Sequence, residues 1–157
     1  IQVVNSRAIF EFLMGEGRDL YKNGGAARRF QDAVLTNLLH TSIVSGFADG
    51  SGQLAVAHAT YDFLRTHHTE ASYHFLHGEM VAVGLLVQMA YNGSSQEEIQ
   101  AVRSLMADMH MPLTLADLEY DCSGAQRDFF LQTIAADANI TTPADMSLLR
   151  AALEEAL

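Results

Sequence analysis

One cysteine, two prolines and nine basic residues in 157 positions are the scarcities of this chain, and each removes a class of protein. Cys122 has no second cysteine to pair with, so no internal disulfide can form and a reducing, cytoplasmic setting is expected. Its thiol should behave as a small, partly buried apolar group. Nineteen acidic residues outweigh the nine basic ones, for a net charge of −10. Nucleic acid and anionic membrane surfaces would both repel such a chain, so neither is an expected partner. No apolar run is long and uncharged enough to cross a bilayer, and no basic segment leads into an apolar one as in a secretory leader. HExxH, the Glu-x-x-His pair of a di-iron bundle and the CxxC zinc knuckle are all missing. No glycine-rich phosphate loop follows a strand, so no cofactor-binding residues for a dinucleotide are expected here. The chain begins at Ile1 and not at a methionine, which suggests a processed, truncated or partly ordered product.

What is present is apolar and helical. Apolar residues make up 49% of the chain, and 157 residues are enough for one domain with a real core. Ser6 is placed to cap a first helix with Ile9, Phe10, Leu13 and Met14 on its inner side, ending at Asn23-Gly24-Gly25. A long second helix is expected from about Ala26 through Phe30, Val34, Leu38, Ile43 and Phe47, broken by Gly46 and the run from Ala48 to Gly52. A third should run from near Gln53 to Arg65. The fourth, from Gly78 to about Tyr91, is almost uniformly apolar, the pattern of a helix buried on most sides. Ser95 with Glu98 three residues on forms a capping box for a helix through Met109. LTLADL reads as a short turn or single coil, Ser123 as the cap of a helix through Asp137, and Thr142-Pro143 as the start of a last helix whose inner face is Leu148, Leu149, Ala152 and Leu153. No run alternates apolar and polar residues with β-branched enrichment. An all-α bundle over residues 1–157, as a single domain, is the reading.

Two histidines stand where apolar packing does not need them. His58 lies among small residues in QLAVAHATYDFL, and His77 opens the apolar fourth helix just before Gly78. They are nineteen positions apart, and the intervening loop of about ten residues can span up to roughly 33 Å, so the two rings are able to meet at one divalent metal ion. A core His58 bonded to a carbonyl, with His77 as a helix-end residue, is the alternative. His67, His68 and His74 fall in the connecting loop as solvated residues, or as lining of a pocket entrance if a metal is near. Glu79, in the first helical turn, suits the positive end of the helix dipole. The tract Met106, Met109 and Met111 reads as core plus a helix end.

The ordered phrases AHAxxxxL, a histidine-rich loop, HGExVAxGxLVQ and MPLTLADL, with Ser45-Gly46 ahead of a glycine-rich stretch, resemble the metal-binding part of the iron-containing alcohol dehydrogenase superfamily, and its glycerol dehydrogenase branch most closely. The resemblance implies a helical bundle like the C-terminal domain of the dehydroquinate synthase-like fold, partnered by an N-terminal nucleotide-binding α/β domain that this chain lacks. It implies that His58 and His77 are two protein ligands of a divalent metal, zinc or alternatively iron, with no catalytic residue beyond them. It further implies NAD(P) held by the missing domain, a small polyol or alcohol as substrate, and a homo-oligomer. The third ligand of the family, an aspartate in a GxxD segment, has no counterpart here. Tyr61-Asp62-Phe63 stands where many relatives carry a second histidine in AHxxHNG, which puts glycerol itself in doubt. A 2-oxo acid or other alcohol as substrate, or a non-catalytic helical interaction module, are the alternatives, and the chain alone is expected to be inactive.

Overall fold

The computed structural model describes residues 2–40, 42–43 and 55–156. Among them every regular element is helical, in agreement with the all-α reading. By its internal contacts the chain divides into two compact units, Ile1–Gly52 and Gln53–Leu157.

In the first unit, helix α1 (Gln2–Asn23) is followed by a 3₁₀ turn (Gly24–Ala26), helix α2 (Phe30–Leu35) and a π-helical turn (Thr36–His40). Ser6 therefore lies inside α1 and is not its cap. The expected long second helix starts at Phe30 and passes into wider π-helical winding over Thr36–His40. The expected positions Gly46, Phe47 and Ala48–Gly52 lie outside the described residues. Leu13, Phe30, Val34, Leu35, Leu38 and Leu39 are all exposed, so the apolar stripe read from the sequence is present in this unit without being buried. Polar links hold the turn: Arg29 pairs with Asp32 and Glu16, and its guanidinium lies 5.2 Å from the centre of the Phe12 ring.

The second unit has the core. Its helices are α3 (Val56–His67), α4 (Thr69–Ser72), α5 (His77–Tyr91), α6 (Gln96–Asp108), α7 (Gly124–Asp137) and α8 (Pro143–Ala156). Helix α5 is central, packing on α3, α6 and α8, while α7 packs on α3 and α8. None of its residues from Glu79 to Tyr91 is exposed, as its uniform apolarity predicts. Phe63 and Leu64 of α3, Met80 and Leu86 of α5, Phe130 and Ile134 of α7 and Leu149 and Leu153 of α8 are fully buried together with Leu115 and Leu118.

Two local features fix how α3 meets α5. At Gly84 a side-chain carbon would stand 2.7 Å from Thr60 Cβ and 2.8 Å from the Ala57 carbonyl oxygen, so the helices touch backbone to backbone only because that position lacks one. The start of α3 is held from α5: the Ala57 N–H donates to Gln88 Oε1 at 3.1 Å, supplying a cap that Ala55 has no side chain to provide. Thr60, fully buried, satisfies its hydroxyl by donating to the Val56 carbonyl at 2.9 Å.

The remaining caps follow the sequence closely. Ser95 Oγ accepts the Glu98 N–H at 3.2 Å while the Glu98 carboxylate accepts the Ser95 N–H at 3.0 Å. Thr142 Oγ1 accepts the Asp145 N–H at 3.1 Å, with Pro143 as the first residue of α8. Ser123 occupies the N-cap position of α7, though its side chain makes no capping bond. LTLADL is a turn closed by Asp117, whose carboxylate accepts the Leu113 and Thr114 N–H groups. These bonds, the Leu113 one foremost, hold its carboxyl below the ordinary value. Leu148 departs from expectation: it is 56% exposed while Leu149, Ala152 and Leu153 are buried, so the buried stripe of α8 starts one residue later. Cys122 is free and half-buried, and burial raises its thiol pKa. Met106 is buried and Met109 caps the end of α6.

Gly84→Ala should lower the stability of the chain by about 1–3 kcal/mol, the usual range for overpacking a tight contact. Gly78→Ala, where an added carbon meets nothing within 4 Å, should be neutral or stabilising by up to about 1 kcal/mol. Urea unfolding of the two variants checks the contrast.

Alkaline pH supplies a second test. Burial pushes the Tyr120 phenol up to about 12, with lesser contributions from Cys122 and Asp121, and its hydroxyl donates to the Gln126 carbonyl at 3.0 Å. In the unfolded chain the same group ionises near about 10. The stability it contributes is therefore complete below pH ~10 and is lost as pH rises from there towards ~12. Stability measured across that window should fall in the wild type and fall less steeply in Tyr120→Phe.

Candidate metal centre

His58 is the third residue of α3 and His77 the first of α5. The first placement corrects the mid-helix position read from the sequence: α3 begins at Val56, after the extended Ala55. His58 is exposed although its neighbours Ala57 and Ala59 are buried. His77 is exposed too. Neither ring points into the packed interior, as a core histidine would; both stand on the outside of the α3–α5 contact.

There they meet. The ring centres are 5.7 Å apart with the planes tilted by 51°. Two imidazoles sharing one zinc, each through a bond of about 2.0–2.1 Å at near-tetrahedral angles, have centres about 5 Å apart. The pair thus fits a common divalent ion with a small adjustment of side-chain torsions. Among the described residues no group of three or more histidine, cysteine, aspartate or glutamate side chains is arranged to hold a metal. The pair by itself offers two nitrogen donors.

The neighbours of His77 are set by the helix start. The Glu79 carboxylate accepts the Leu76 N–H at 2.7 Å, so this residue caps α5 and its charge meets the positive end of the helix. Tyr61, one turn after His58 on α3, packs edge-on against His77 with ring centres 4.2 Å apart and a tilt of 66°. Sequence reasoning noticed Tyr61 as a departure from a motif and gave it no partner.

Three further histidines form a separate feature. His67 is not in a loop but is the last residue of α3, its ring against Phe63 and Phe129 at 5.0 and 4.9 Å. His68 packs edge-on against Tyr120, and α4 fills part of the expected loop. His74 Nδ1 lies 3.3 Å from Glu119 Oε2, both side chains exposed. His67, His68 and His74 line an open cavity of about 470 Å³ with Glu70 and Glu119.

No family model matches the chain. Curated proteins do. Glycerol dehydrogenase from Pseudomonas putida is 42% identical over 76 residues, covering 48% of this chain and 20% of that protein. The Citrobacter freundii glycerol dehydrogenase is 30% identical over 113 residues, 72% of this chain and 30% of the relative. The resemblance to glycerol dehydrogenases holds. Hydroxycarboxylate dehydrogenase A of Escherichia coli is 31% identical over 121 residues, 74% of this chain and 32% of its own length. The chain spans between a fifth and a third of the length of these relatives. Among its described residues no helix is long and apolar enough to cross a membrane.

If the two rings share an ion, the chain alone should bind zinc weakly at one site, by calorimetric titration. His58→Ala and His77→Ala should each remove that binding, whereas His74→Ala should leave it unchanged. Tight one-to-one binding that survives both of the first two changes would place the metal elsewhere.

Proposed function

We propose that residues 1–157 are the C-terminal, metal-binding helical domain of a metal-dependent, NAD(P)-linked polyol or alcohol dehydrogenase of the iron-containing alcohol dehydrogenase superfamily. The observation that carries this reading is the convergence of His58 and His77, from two helices locked together at Gly84, on one exposed face. The relatives' names support it. The nicotinamide cofactor and the missing donor belong, in this reading, to an N-terminal α/β domain outside this chain.

His58 and His77 would hold a divalent ion, zinc or alternatively iron, on the outer side of the bundle. Such an ion would supply Lewis acidity for polarising a substrate hydroxyl. The chain's own contribution is positional. Gln88 and Glu79 secure the starts of the two helices, and the Gly84 contact sets the separation of the rings. Exposure of both rings leaves room for substrate and for the partner domain. The whole enzyme is proposed to be a cytoplasmic homo-oligomer acting on a small polyol, with neither nucleic acid nor membrane as partner.

A second reading keeps the site and changes the substrate. Hydroxycarboxylate dehydrogenase A matches 74% of the chain, much as the Citrobacter freundii glycerol dehydrogenase matches 72%, and its name supports a hydroxy acid as the second substrate class. Intact protein, assayed for nicotinamide turnover with glycerol, 1,2-propanediol and a set of 2-oxo acids, separates the two. Diol oxidation that a chelator abolishes and zinc restores is the expected result. Turnover with the oxo acids alone would transfer the assignment to the second reading, and undiminished diol oxidation in His58→Ala/His77→Ala would refute the role given to the pair.

A further inference from the structure

We infer that Tyr61 is a positioning residue for His77, holding its imidazole in the orientation that shares a ligand with His58; the metal part of this inference rests on the reading just proposed. His77 opens a helix and is exposed. At such a place packing from its own helix leaves an imidazole free to turn about both side-chain torsions. The rings that touch it come from α3. His58 stands on one side at 5.7 Å and Tyr61 packs edge-on at 4.2 Å, the closer of the two. Edge-to-face geometry of this kind is directional, because the positive rim of one ring meets the negative face of the other.

Tyr61 is itself anchored. It is half-buried, it follows the buried Thr60 that lies against Gly84, and it precedes the fully buried Phe63 and Leu64. Tyr61 and His58 are three residues apart on α3, so they project from one side of the helix one above the other. The α3 side of the site is thus a two-ring wall, one ring a metal donor and the other a prop for the donor on α5. Ordering a donor before the metal arrives removes part of the cost of binding, the same role that hydrogen-bonded carboxylates serve for histidine ligands elsewhere. The interaction is one of ring faces, so the phenol hydroxyl is dispensable and the aromatic ring is not.

Two readouts on the intact protein test this. In ring-labelled histidine NMR without metal, the His77 ring protons should carry an aromatic ring-current shift in the wild type and in Tyr61→Phe. In Tyr61→Leu, which keeps the bulk and removes the ring, the signal should move to the position of a solvent-exposed histidine, with the His110 signal unmoved as control. In competition titration with zinc, Tyr61→Leu should bind roughly 10-fold more weakly, the usual effect of losing a supporting group, and Tyr61→Phe within about twofold of wild type. A His77 signal indifferent to Tyr61→Leu overturns the inference whatever the metal does. An altered His77 signal with unchanged zinc affinity overturns its metal-positioning part. Should wild type and His58→Ala/His77→Ala bind zinc equally, the proposed metal centre fails, and the NMR comparison alone decides whether Tyr61 positions His77.

Discussion

The close approach of α3 and α5 at Gly84 is the constraint on which the second unit depends. A helix pair that can come no nearer than its side chains allow would stand apart here by the width of a methyl group or more. Gly84 lets the Ala57 carbonyl and Thr60 side chain sit almost on the backbone of α5. The buried Thr60 then satisfies its hydroxyl within its own helix, and Gln88 reaches across to cap the start of α3. These three features make the spacing and rotation of the two helices a fixed quantity, which packing of Phe63, Leu64, Met80 and Leu86 against the remaining helices reinforces.

The site follows from that lock. A single residue step separates the buried contact from the exposed face, since Ala57 and Ala59 are buried while His58 between them is open. His77, two turns before Gly84 on α5, is carried to the same end of the contact. Glycine at 84 and histidine at 58 and 77 are therefore parts of one arrangement: the first sets a distance between backbones, and the other two use it. The histidines around the open cavity have different anchors, the Phe63–Phe129–Tyr120 cluster and Glu119, and they form a second feature of the same unit.

Periodicity and caps made most of the helices legible in the sequence. The Ser95/Glu98 and Thr142-Pro143 signals worked because each is a local bond between residues a single turn apart. The burial of α5 was legible because no polar stripe interrupts it. At α3 and α8, where expectation and structure part, a non-local partner is the cause. Helix α3 begins at Val56, and its Ala57 N–H is capped by Gln88 thirty-one positions further on, which no reading of QLAVAH reveals. Ser6 carries a cap residue's chemistry and still lies inside a helix. Leu148 looks as apolar as Leu149, and only the packing of α8 on α5 and α7 decides that the second is buried. For the site, residue type and motif order singled out His58 and His77, but not their exposure, and Tyr61 emerged as a ring neighbour only from the coordinates.

The most direct measurement is X-ray absorption at the zinc edge of the intact protein loaded with one equivalent of metal. Fitted to imidazole scattering, the spectrum should give two histidine ligands for the wild type, one for His58→Ala and one for His77→Ala, with the second histidine in each single variant still bound. An imidazole count that neither substitution changes would mean that the two rings, near as they are, never share an ion.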